Sequence, residues 1–233
     1  RRGALPRIVS RGHPWPDAGI LACGHSGVKG ICSEPISGAQ PFRPFRQLWY
    51  NLAIMGKSVF HHVAVSRDDV AFVEKILADL PILADLCRAD LLMYCLSQSG
   101  KALTVGQARP HSFSPLWEED RVGTAVTERE QPEVVQAVRG ATNWHMGIHT
   151  VTVHGTTAAR ELFPVYGPTG ELVAVLSKES FWLAHERHRR RSKMFQQALL
   201  DFVAMVLRGD LKGGAGLSPF GENDGIVCLS ADR

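Results

Sequence analysis

The chain has 233 residues, of which 45% are hydrophobic and 21% charged, and a formal net charge of +3. That composition supports a packed core and argues against global disorder, and a charge so close to balance does not by itself indicate a nucleic-acid partner. The five cysteines, Cys23, Cys32, Cys87, Cys95 and Cys228, are odd in number and lack short paired spacings, which argues against a disulfide framework and fits a reducing, cytoplasmic setting.

Residues 1–54 are rich in Gly, Pro and Arg and hold no sustained period of 3.6 or 2. They are expected to be a disordered leader, or translated sequence upstream of a start at Met55, the first methionine. His13, Cys23, His25 and Cys32 fall there, without the close pairs that zinc sites use. Arg1-Arg2 is not followed by the apolar stretch of an export signal, and no run approaches the roughly 18 apolar residues that cross a bilayer. No membrane association is expected.

The ordered part is expected to span residues 55–211. Ser66 reads as an N-cap, with Asp68 and Asp69 in the first turn of a helix whose stripe is Val70, Val73, Ile76, Leu77 and Leu80. Pro81 should kink or split that helix. "LLMYCLS" and "ALTVGQA" then form strands on either side of Ser99-Gly100. Residues 111–126 read as loop. Thr127 to Glu130 matches a capping box, ahead of a short helix closed by Gly140. Ile148, Thr150 and Thr152 alternate with His149, Val151 and Val153, as in a strand. "ELFPVYGPTGELVAVLSKES" is a hairpin turning at Gly167–Gly170.

The last expected element is one helix over "HERHRRRSKMFQQALLDFVAMVLRGD". Phe195, Leu199, Phe202 and Val206 form a stripe at i, i+4, i+7 and i+11, which is also the seam spacing of a parallel homodimer. Residues 212–233 read as a Gly-rich linker and the truncated start of another domain, with "GIVCLSADR" as a first strand and turn. The expected fold is α+β, a central antiparallel sheet flanked by N- and C-terminal helices. The terminal helices pack on one face, and the middle segment covers the other and closes a pocket.

"LPILADLCRADLLMYCL", "DRVGTAVTEREQPEVVQAVRG", "RELFPVYGPTGELVAVLSKES" and "RRRSKMFQQALLDFVAMVLRG" resemble the GAF-like N-terminal sensor domain of cytosolic histidine kinases, from Val70 to about Leu211. The resemblance implies a GAF/PAS-like sheet, a following PAS domain and a HisKA_2/HWE-type kinase core. It further implies a response regulator as partner, often one with an RNA-binding ANTAR domain. "GENDGIVCLSADR" stands where that family begins its PAS domain. The His box and nucleotide-binding boxes of such a kinase are not in these residues, so no catalysis is expected of them, and ATP and Mg²⁺ belong to the missing core. The implied role is a sensory input module that binds a small ligand and passes its state through the last helix.

Within such a fold Trp117 and Trp144 lie in the covering loops, and with His145 they are the candidate ligand residues. Tyr94, Phe163 and Tyr166 read as core. A metal or haem site from His111, His145 and His149 is a weaker reading, since four residues of strand separate His145 from His149 by about 13 Å. Cys87 and Cys95 read as buried hydrophobes, with a redox sensor as the alternative. His185 and His188 read as solvated. The basic run Arg187, Arg189, Arg190, Arg191 and Lys193 reads as a charged first helical turn with an acidic partner such as Glu74 or Asp85. A nucleic-acid-binding regulator using that run is the rival reading.

Overall fold

The computed structural model describes residues 20–23, 59–141, 147–212 and 225–228. Along the chain these form β1 (Ile20–Cys23), a 3₁₀ turn at Phe60–His62, α1 (Arg67–Cys87), β2 (Asp90–Leu96), β3 (Ala102–Ala108), β4 (Ala125–Val126) and α2 (Pro132–Val138). They continue with β5 (Ile148–Val153), β6 (Thr156–Tyr166), β7 (Leu172–Phe181), α3 (Trp182–Arg189), α4 (Lys193–Leu207) and β8 (Gly225–Cys228). Two compact units result. In one, β1 pairs antiparallel with β8. Apart from these two strands, the expected leader and the linker region beyond Lys212 lie outside the described residues.

The larger unit is a six-stranded sheet of order β4-β3-β2-β7-β6-β5 with every pairing antiparallel. The α+β expectation holds. Helix α1 packs against α4. Its cap is the expected one, because the Ser66 side chain accepts from the Asp69 N–H at 3.1 Å. Pro81 does not split it; α1 runs unbroken through that residue to Cys87. Gly106 of β3 allows a close approach, since a Cβ there would collide with Leu77 of α1. The opposite face is covered by α2 together with Leu116 and Trp117, in a core with Leu92, Tyr94, Ala158, Leu162 and Val175.

Both hairpins form where their turn residues place them. Gly100 and Gly170 have φ of 77° and 83°, in the left-handed region that glycine enters without strain. The middle helix starts later than the capping box implies. Thr127 and Glu130 do bond to each other, the Thr127 N–H and hydroxyl both donating to Glu130 Oε2 at 2.9 Å. They close a turn, and the helix begins at Pro132, whose fixed φ suits a first helical position.

The last element is two helices. Ser192 caps α4 by accepting from the Phe195 N–H at 3.2 Å, and its own backbone is extended. A good cap inside a helical run competes with continuation of the helix, and here it wins. Arg187 and Arg189 therefore occupy the last turn of α3, where the helix dipole favours cations, rather than a first turn. Asp85, one of the acidic partners expected for them, accepts from the His111 N–H at 2.6 Å. Replacing Ser192 with Ala is expected to lower stability by about 1 kcal/mol, read as a shift in urea midpoint. No change would mean that the cap does not set the break.

Most of the stripe expected to be a dimer seam is buried within the chain itself. Leu199, Phe202 and Val206 are buried and Phe195 is half-buried, with α4 lying against α1. A stripe at helical spacing fits an intramolecular neighbour as well as a second copy, and the first helix is the nearer partner.

Candidate functional site

Alternate residues of a strand share a face. Beneath α2, that rule groups Asp90, Leu92 and Tyr94 of β2 with Val175, Ser177 and Glu179 of β7 and with Ala158, Arg160 and Leu162 of β6. The register sets Asp90 opposite Glu179, Glu179 opposite Arg160, and Arg160 opposite His149. A transverse polar row thus crosses four strands of a layer whose remaining side chains, Ser177 apart, are mainly apolar. Asp90 and Arg160 are each 2% exposed and Glu179 is fully buried.

Buried charges are tolerated only when paired and hydrogen-bonded. Glu179 Oε1 accepts from Arg160 Nε at 2.9 Å and from the Ser177 hydroxyl at 2.7 Å. Its Oε2 accepts from the indole Nε1 of Trp117 at 2.9 Å. Arg160 also donates through Nη1 to Glu133 in the first turn of α2. Desolvation works against the guanidinium charge, but Glu179 and then Glu133 hold its pKa above the ordinary value.

The segment 109–117 crosses this end of the sheet as a strap. Its His111 N–H donates to Asp85 Oδ1 at 2.6 Å, and the His111 ring Nδ1 lies 3.0 Å from Asp85 Oδ2. The Leu116 N–H donates to Asp90 Oδ2 at 2.6 Å. With Trp117 on Glu179, three buried carboxylates from α1, β2 and β7 hold one strap.

Asp90 is the least settled of the three. Burial pushes its carboxyl up to about 6, against the backbone N–H groups of Leu116 and Trp117. Its Oδ1 has no hydrogen-bond partner among the described residues. An acid whose folded pKa is raised makes its full contribution below the unfolded value, near 4, and loses it as pH rises through the folded value, near 6. Asp90→Asn is therefore expected to match the wild type near pH 4 and to exceed it at pH 7.5 by on the order of 2–3 kcal/mol. Urea midpoints at both pH values measure this; parallel curves for the two proteins would refute the assignment.

Between the strap and the β5–β6 turn lies a cleft of about 340 Å³, lined by Pro115, Leu116, Glu118, Glu119, Val153, His154, Thr156 and Phe181. His154 is the turn residue and takes φ 48°, uncommon for a residue with a side chain. Its ring meets Trp117 edge-on at 5.2 Å, and its Nε2 lies 3.4 Å from Glu119 Oε1. Arg121 stacks its guanidinium over the same indole at 4.5 Å.

A family model described as the GAF domain of the histidine kinase PdtaS matches residues 55–199. The chain belongs to that GAF family. No curated protein matches this GAF domain's chain. Among solved structures, it is similar to a sensor region of a sensor histidine kinase at 24% identity and TM-score 0.51, covering 69% of this chain and 55% of the other. The chain thus spans little more than half the length of that structure. IclR-type transcriptional regulators from Alicyclobacillus acidocaldarius and a Rhodococcus species also match, at 13% and 10% identity and TM-score 0.38. They cover 70% and 69% of this chain, and 74% and 66% of their own.

Of the three ligand candidates, Trp117 lies in the strap, bonded to Glu179 of the polar row and edge-on to His154 of the cleft lining. Trp144 and His145 lie outside the described residues. His111 serves the strap and His149 ends the polar row. Among the described residues, no group of three or more His, Cys, Asp or Glu could hold a metal ion. Burial pushes the thiols of Cys87 and Cys95 up to about 11 and about 12, so neither is a thiolate near neutral pH. His185 is buried rather than solvated, and burial lowers its pKa; burial likewise brings His188 down to about 4. Among the described residues no helix is long and apolar enough to cross a membrane.

Sequence reasoning missed Asp90, Arg160 and Glu179. A signal was present: each is a charged residue at an inward-facing strand position among mainly apolar neighbours, Ser177 excepted.

Proposed function

We propose that this GAF domain is the sensory input of a two-component histidine kinase, in which a small ligand held between sheet and strap biases the packing of α3 and α4. The observation that supports this reading is the position of Glu179. It lies three residues before α3 begins and receives the indole N–H of the strap's Trp117. A strap displacement that withdraws Trp117 leaves a buried carboxylate short of a donor at the root of α3. A ligand with different affinity for the two arrangements then shifts their populations.

On this reading the parent is a cytoplasmic, ATP- and Mg²⁺-dependent protein-histidine kinase. A PAS domain and kinase core act in cis, and a response regulator, in the family's manner one of ANTAR type, receives the phosphoryl group. A homodimer would use the outer face of α4, where Leu200 is exposed and Ala204 and Leu207 are half-buried at i, i+4 and i+7.

Trp117→Phe tests the coupling, because it keeps an aromatic side chain and removes the donor. Amide exchange in α3 is expected to accelerate tenfold or more while the middle of α1 stays protected. Unchanged exchange in α3 would remove the physical basis of the relay.

A further inference from the structure

We propose that the cleft between the strap and the β5–β6 turn binds a small organic cation with a flat apolar body, of the aromatic amine class. Pro115, Leu116, Val153 and Phe181 supply its apolar side, and Glu118, Glu119, His154 and Thr156 its polar side. About 340 Å³ lies at the small end of ligand pockets and suits a molecule of about ten to fifteen non-hydrogen atoms. Apolar walls of this kind take a ring by area burial and leave its polar group to the lip.

The lip sets the sign of the charge. Glu118 is exposed and has no ion-pair partner among the described residues. Glu119 is shared at long range, 3.5 Å from Arg121 and 3.4 Å from His154. Its own backbone N–H, followed by these neighbours, holds its carboxyl below the usual range, so it stays ionised. Against these two carboxylates stand the guanidinium of Arg121, already stacked on Trp117, and the ring of His154 beside Glu119. A ligand that brings one ammonium group gains a charge-assisted contact at the lip, whereas an anion of the same shape is repelled.

Binding there would touch Leu116 and the residues flanking Trp117, so its consequence for signalling rests on the sensory reading above. The binding itself does not, and it is measured separately. Tryptamine, tryptophol and indole-3-acetate carry the same ring with positive, neutral and negative tails. Titration calorimetry on the whole chain is expected to give tryptamine a Kd at least tenfold below that of tryptophol, with indole-3-acetate weakest. The double variant Glu118→Gln/Glu119→Gln should weaken tryptamine tenfold or more and leave tryptophol unchanged. Thr156→Trp, at an exposed lining position, should fill the cleft and abolish binding of tryptamine and tryptophol. Absence of tryptamine binding at millimolar concentration, equal affinity for the three probes, or indifference to both variants would overturn the proposal. The exchange experiment with Trp117→Phe would stand or fall independently.

Discussion

Arg160→Met is expected to lower stability by about 3–5 kcal/mol, because it strips the cation from a fully buried carboxylate. Glu179 would keep Trp117 and Ser177 as donors, but no opposing charge would remain in direct contact with it. Glu179→Gln should cost a comparable amount, since an amide NH₂ then faces the donors of Arg160, Ser177 or Trp117. The double variant Arg160→Met/Glu179→Gln should cost clearly less than the two single losses together, because the groups form one network. Urea midpoints at unchanged slope measure all three. Additive losses, or a loss below 1 kcal/mol, would show that the network contributes little.

Leu199→Asp is expected to prevent folding or to cost more than about 4 kcal/mol, since it puts a carboxylate into the contact between α4 and α1. Leu200→Asp, one residue on, should leave stability within about 0.5 kcal/mol, because that side chain is 49% exposed. The pair separates core from outer face on the same turn of helix. Sedimentation of Leu200→Asp then reports on self-association without the confusion of unfolding. A folded, monomeric Leu199→Asp would restore the seam to the inner stripe.

Elements governed by local periodicity were legible from the sequence. The cap and stripe of α1 and the glycine turns of both hairpins depend on residues a few positions apart, and they formed as expected. The break at Arg190–Ser192 was not legible, because helix-forming residues run through it and only the Ser192 cap opposes them. The burial of Leu199, Phe202 and Val206 was legible as apolar spacing but not as a choice of partner. The loop position of Trp117 was legible, whereas its bond to Glu179 was not. That bond depends on which strand lies beside which, a fact set by pairings between distant segments.

The central pairing of the sheet has a kinetic consequence. β2–β3 and β6–β7 are hairpins, each closed by a short turn, and such units form in roughly 1–10 μs. The β2–β7 seam instead joins residues 90–94 to residues 175–179. Its closure bears the entropy of a long loop and gains nothing until the loop is shut. Joining the two hairpins is therefore the expected rate-limiting event of refolding. It is also the event that brings Asp90 and Glu179 face to face and takes both out of water. Like charges meeting at the barrier slow its crossing, so Asp90→Asn should refold faster than the wild type above pH 6, with the two rates converging in acid.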